Sequence, residues 1–155
     1  MTGRALRLLV PAAVLLLAVA CNPKQARAEK AVTAYRTLLA ETIRFNQAFK
    51  SRPELKEEPN FVVVLDQNID LLEKEKLAVD QFVKDLKEDP LLQKITSQTM
   101  NMEQLPTFMR YSLGVNGIPT TRYSKHEKLV ILWTDEMGVA IQPRVNEIRK
   151  IASAN

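Results

Sequence analysis

The 155-residue chain holds one cysteine, Cys21, and one histidine, His126. Metal sites, nucleophiles and general bases are built from these residue types and from grouped carboxylates, of which Asp66, Asp70 and Glu73 are the best spaced. A zinc site needs several His or Cys ligands, and this chain offers one of each. A di-iron bundle needs Glu-x-x-His pairs on facing helices, and the residue three before His126 is Tyr123. A Ser-His-Asp triad would have to use His126, which falls in the first turn of a predicted helix where exposure is favoured. No G-x-S-x-G string and no phosphate-cradling glycine loop occurs. Asp66, Asp70 and Glu73 read as a solvated acidic face. The expectation is therefore no catalytic residue, no metal and no enzyme activity. The one reactive group with a role to assign is the Cys21 thiol.

Its surroundings assign it. Arg4 and Arg7 make a positive start, and no acid occurs before Glu29. Leu8 to Leu17 form an apolar stretch, followed by the small residues Ala18 and Ala20. This is the three-part layout of an export signal. The apolar run is about half of the roughly 20 residues needed to span a bilayer, and it contains Pro11, so a permanent transmembrane helix is disfavoured. The string Leu17-Ala18-Val19-Ala20-Cys21 resembles the lipobox of bacterial lipoproteins, with Ala18 where leucine is usual. The resemblance covers residues 1–21. It implies diacylglyceryl transfer to the Cys21 thiol, cleavage before Cys21 and acylation of the new amine. The expected division is a signal peptide at 1–20 and one lipid-anchored helical domain at 21–155, with no cofactor beyond the covalent lipid. Two or more acyl chains make a stable anchor where one is marginal. Asn22, rather than aspartate, follows the cysteine, which favours the periplasmic face of the outer membrane over the inner membrane.

Removing residues 1–20 takes away Arg4 and Arg7, so the formal charge of +4 falls to near balance. Global charge thus gives no nucleic-acid signal. The mature chain is long enough for one core. With Cys21 consumed there is no disulfide, and packing alone must hold the domain. Glycine is scarce beyond Gly114, Gly117 and Gly138, while Leu, Lys, Glu and Gln abound, which favours helix throughout.

Prolines and caps divide the chain into four amphipathic segments. Asn22-Pro23 reads as an N-cap and first-turn proline opening a helix that runs to about Lys50, with Tyr35, Leu38, Thr42, Phe45 and Phe49 on one face. Ser51 to Pro59 is a connector in which Ser51 and Glu54 suit a capping box. Asn60 can cap a second helix carrying Val62, Leu65, Ile69, Leu72, Val79, Val83 and Leu86. Asp89-Pro90 looks like the cap of a third, with Leu92, Ile95, Thr99, Met102, Met109 and Leu113, and with Pro106 interrupting or kinking it. Ser124 with Glu127 forms another capping box before a fourth helix bearing Val130, Trp133, Met137, Ala140, Ile148 and Ile151, bent at Pro143. The predicted fold is an all-α, antiparallel up-down four-helix bundle with Pro-kinked third and fourth helices. The alternative is an α+β fold, because 61–65 and 129–133 are continuous β-prone runs.

Up-down topology gives the bundle two unlike ends. Lys24, Arg27, Lys30, Arg149 and Lys150 gather at the end next to Cys21, where they can attract anionic head groups. The far half is apolar beyond a single stripe. Phe61, Val64, Met109, Leu132 and Trp133 are its candidate partner or ligand surface, unless the 51–59 connector folds over them and makes a thicker core. Arg110, Arg122, Lys125, His126 and Lys128 ring that end. The function expected is a non-catalytic binding or scaffold lipoprotein of the cell envelope, facing the periplasm, with a membrane contact through its anchor, an envelope protein as partner and room for self-association. Small helical secretin pilotins are similar in general plan, though no pilotin motif is present. The alternatives are a small-molecule or lipid-binding bundle and an inhibitor or immunity lipoprotein.

Overall fold

The computed structural model describes residues 22–113, 115 and 124–154. The expected signal segment, the expected lipidation site Cys21 and Arg122 of the far-end basic ring lie outside them. Four helices follow in order: α1 Pro23–Lys50, α2 Pro59–Asp85, α3 Glu88–Ser112 and α4 Lys125–Ser153, with a 3₁₀ turn at Pro53–Glu57 between α1 and α2. Among the described residues there is no strand, and the protein is an all-α helical bundle. The alternative strands at 61–65 and 129–133 are both helical. Each run sits inside a much longer segment of helical period, so Phe61 and Leu65, or Val130, Trp133 and Met137, bury together on one face. Helix propensities differ by only tenths of a kcal/mol for such residues, and tertiary burial overrides them.

The helices alternate in direction. Lys24 Nζ lies 2.7 Å from Asp89 Oδ2, and Arg27 donates to the Ala154 carbonyl, so the starts of α1 and α3 meet the end of α4. At the other end Phe49 and Phe61 pack edge to face, with ring centroids 6.2 Å apart, across the α1–α2 reversal. The bundle is not a regular square. Helix α1 packs along all three others, α4 packs along α1 and α3, and α2 barely touches α3 despite the two-residue turn Leu86-Lys87 that joins them. The sequence explains this asymmetry. From Ala28 to Phe49, α1 buries Ala31, Val32, Ala34, Tyr35, Leu38, Leu39, Thr42, Ile43 and Asn46, an arc of about half its circumference. Helix α2 buries only Phe61, Leu65, Asn68, Leu72 and Val79, the narrow stripe of a helix packed on one neighbour.

That stripe is rotated from the predicted one. Val62 and Ile69 are half-buried and Val83 is exposed, because the aromatic Phe61 takes the central position. One polar group ties α2 to both neighbours all the same: Glu75 Oε1 accepts from Tyr35 of α1 at 3.0 Å and from Gln98 of α3 at 2.8 Å. On α4, Ala140 is exposed, and Ile141 and Val145 carry the buried face instead.

The caps divide into two kinds. Asn22 Oδ1 accepts from Lys24 N at 3.1 Å, and Ser124 and Glu127 form the reciprocal capping box, at 3.2 and 2.7 Å. Elsewhere the expected caps are displaced. Helix α2 begins at Pro59 after Glu58, and α3 begins at Glu88 after Lys87, neither with a side-chain cap bond. Ser51 closes α1 instead of opening the 3₁₀ turn, and its hydroxyl donates to the Gln47 carbonyl. Neither internal proline breaks its helix, since α3 runs through Pro106 and α4 through Pro143. Each ring lacks the N–H that would bond the carbonyl four residues earlier, so Met102 and Val139 lose their helical donors.

Candidate functional site

The far-end residues do not form one surface. Phe61 and Trp133 are fully buried and meet edge to face, with centroids 5.9 Å apart and planes at 90°. Trp133 Nε1 donates to Asn46 Oδ1 at 2.9 Å, and Asn46 in turn donates to the Thr42 carbonyl at 3.0 Å. Val64 and Met109 are half-buried against the core, and of the five only Leu132 is exposed. The reason is the 3₁₀ turn, which buries Leu55 and folds the connector against the apolar half. Two members of the basic ring there are also engaged. Lys125 pairs with Glu57, and His126 Nδ1 lies 3.2 Å from Glu58 Oε2. The hydrogen bond from Lys125 holds the Glu57 carboxyl below the usual carboxylate range.

The near-end residues do come together. Lys24, Arg27, Lys30 and Lys150 line one pocket of about 700 Å³ between the start of α1 and the end of α4. Pro23, Ala26, Ile151 and Ala154 supply the rest of its lining, which is mostly apolar. Arg149, the fifth predicted member, pairs instead with Glu103 of α3. Lys24 is paired with Asp89, whose carboxyl the Lys24 hydrogen bond holds low. Lys30 and Lys150 have no carboxylate within 4 Å among the described residues. The Nε of Arg27 is buried without an acceptor among them, a position that costs about 1–3 kcal/mol when left unsatisfied.

A second depression was not foreseen. A groove of about 1140 Å³, open to solvent, runs along the outer junction of α3 and α4. Helix α3 contributes Pro106, Thr107, Arg110 and Tyr111, and α4 contributes Asp135, Gly138, Val139 and Pro143. Among the described residues, both helix-internal prolines and the only helical glycine therefore share one groove. A Cβ built on Gly138 meets nothing within 4 Å. The bundle's own packing has no need of glycine there, although glycine in a helix interior costs about 0.5–1 kcal/mol relative to alanine. Tyr111 and Val139 beside it are exposed. The signal that could have flagged the site was Gly138 itself, a lone glycine midway along a helical pattern.

Among the described residues no three His, Cys, Asp or Glu side chains gather in a way that could hold a metal ion, and no helix is long and apolar enough to cross a membrane. No protein-family model, curated protein or solved structure matches the chain.

Proposed function

We propose that this chain is a lipid-anchored, non-catalytic protein of the cell envelope that faces the periplasm and holds a protein partner along the α3–α4 groove. The observation that carries the reading is Gly138. Its lack of a side chain serves no contact within the bundle, and it lies in an open groove flanked by an exposed aromatic and an exposed valine. A backbone of another chain can approach closely where no Cβ intervenes. Openness favours a macromolecule over a small ligand, which binds in a concave site that encloses most of its surface. The anchor side of the reading rests on the Cys21 motif and on α1 starting two residues after it. The lipid then holds the near end at the bilayer and directs the bundle's length, about 40 Å by helix rise, away from it.

Two experiments test it. Photocrosslinking side chains placed at Tyr111 and Val139 in cells should give one discrete adduct that Gly138→Leu abolishes, and a probe at Thr33 on α1 should not. Adducts unaffected by Gly138→Leu, or no adduct at all, would overturn the groove assignment, and an adduct of two copies of this chain makes the partner the protein itself. Cys21→Ser should release the protein from membranes, and unchanged membrane association would sink the anchor.

A further inference from the structure

The near-end pocket has the chemistry of a phospholipid site rather than of a plain basic face. We propose that it seats the head group of an anionic phospholipid from the bilayer that holds the anchor. This rests on the membrane-anchored reading above and adds to it a built binding site. Three observations converge. First, four of the eight lining residues are cationic, and among the described residues Lys30 and Lys150 have no carboxylate within 4 Å. The neighbouring acids have other partners: Asp89 is paired with Lys24, Glu147 with Arg144, and Glu29 accepts from Gln25, although Glu29 and Glu147 share the adjoining depression with Lys30 and Lys150. Second, the remaining lining is apolar, from Pro23, Ala26, Ile151 and Ala154. A purely ionic patch has no use for such a floor, whereas a lipid presents a phosphate joined to glycerol and the first acyl carbons. The pocket's 700 Å³ falls within the roughly 300–1,000 Å³ usual for small-ligand sites. Third, the buried Nε of Arg27 has an N–H to give, and its guanidinium is already fixed by a bond to the Ala154 carbonyl. A fixed guanidinium suits a phosphate acceptor.

Position selects the source of that phosphate. Pro23 lines the pocket, and Cys21 precedes it by two residues, so an acylated Cys21 brings the pocket's mouth to the head-group layer. There each lysine or arginine is attracted to anionic lipid within about a Debye length.

The chain from Asn22 onward suits the test, since every buried core residue among the described residues lies between Ala28 and Ile148. It should bind phosphatidylcholine vesicles containing phosphatidylglycerol, bind pure phosphatidylcholine vesicles far less, and weaken with added salt. Lys30→Gln with Lys150→Gln should weaken binding by about thirtyfold, from the roughly 1 kcal/mol that each cation contributes near an anionic surface. Ala26→Phe fills the pocket without changing charge and should weaken binding several-fold. Equal binding to both kinds of vesicle overturns the proposal, as does full binding by the double variant. Full binding by a folded Ala26→Phe protein also overturns it, reducing the cations to a diffuse face. If Ala26→Phe disturbs the circular dichroism spectrum, the double variant alone decides. Saturable binding of free glycerol 3-phosphate without vesicle binding overturns the lipid assignment in favour of a soluble anion. Vesicle binding does not depend on Cys21, so its failure beside Cys21-dependent membrane retention removes the pocket and leaves the anchor.

Discussion

Trp133 and Asn46 join α4 to α1 by a hydrogen bond of 2.9 Å from the indole Nε1 to Oδ1, with both side chains fully buried. Burial makes this bond expensive to break from one side. Trp133→Phe leaves the Asn46 oxygen without its donor and opens space beside Phe61, so it should cost about 2–4 kcal/mol. Asn46→Leu leaves the indole N–H unpaired and should cost about 1–3 kcal/mol. The double substitution removes both polar atoms, so its loss should fall short of the sum. Urea unfolding of the four proteins measures the coupling, and strictly additive losses would count against the bond as the link between these helices.

Tyr35 gives the protein a sensitivity to alkali. Burial, and after it the charge and hydrogen bond of Glu75, push its phenol well above the ordinary value of 10. In the unfolded chain the phenol ionises near pH 10, while in the folded protein it keeps its proton. Above pH 10 the unfolded state therefore binds fewer protons, and stability falls as pH rises, by up to about 1.4 kcal/mol per pH unit. Below pH 10 the contribution is fully present. Tyr35→Phe should flatten this part of the stability profile. It should leave the folded protein's phenolate absorbance titration unchanged until unfolding begins. An earlier loss of absorbance in the variant would show that Tyr35 ionises in the fold.

The parts of this architecture legible in the sequence are those with local causes. Asn22 and Pro23 announce α1, and Ser124 with Glu127 announces α4, because a cap is made by residues two or three apart. The starts of α2 and α3 are displaced from Asn60 and Asp89 because no side-chain cap sets them. Pro59 opens α2, and the tight reversal at Leu86-Lys87 places α3. The candidate site divides the same way. Lys24, Arg27 and Lys30 lie within two turns of one helix, and helix lengths bring Lys150 to them. Phe61 and Trp133 were indistinguishable from an exposed surface by pattern alone, since their burial depends on Leu55 and on α1 occupying the centre. The α3–α4 groove left Gly138, Pro106 and Pro143 as separate traces that no local pattern joins, because much of its wall comes from exposed helix faces that periodicity marks as solvent.

The capping box of α4 should be worth more than an average surface contact. Ser124 Oγ accepts from Glu127 N, and the Glu127 carboxylate accepts from Ser124 N, with the backbone bond first and the Ser124 hydroxyl second in holding the Glu127 carboxyl low. Ser124→Ala removes one arm and should cost about 0.5–2 kcal/mol. Glu127→Gln keeps a backbone acceptor and should cost less. Its deficit should vanish as the pH falls through the depressed Glu127 value, because the wild-type carboxylate is then protonated too. Thermal unfolding across that range measures both, and a Gln deficit unchanged in acid would remove the charge from the explanation.

Gly138 separates the bundle's own stability from whatever the groove is for. A methyl group at this position meets nothing within 4 Å, and helix is favoured by the change, so Gly138→Ala should stabilise the isolated protein by about 0.5–1 kcal/mol. That corresponds to a melting temperature higher by roughly 2–5 °C for a domain of this size. If the groove receives a partner backbone at Gly138, the same methyl group should weaken the partner crosslink from Val139, so that stability rises while capture falls. A stabilised variant with undiminished capture would place the partner elsewhere on the protein. A destabilised variant would mean that the glycine serves the fold after all, through a contact the open groove does not contain. The opposed signs make this substitution the sharpest test of the groove, because a merely structural glycine cannot produce both.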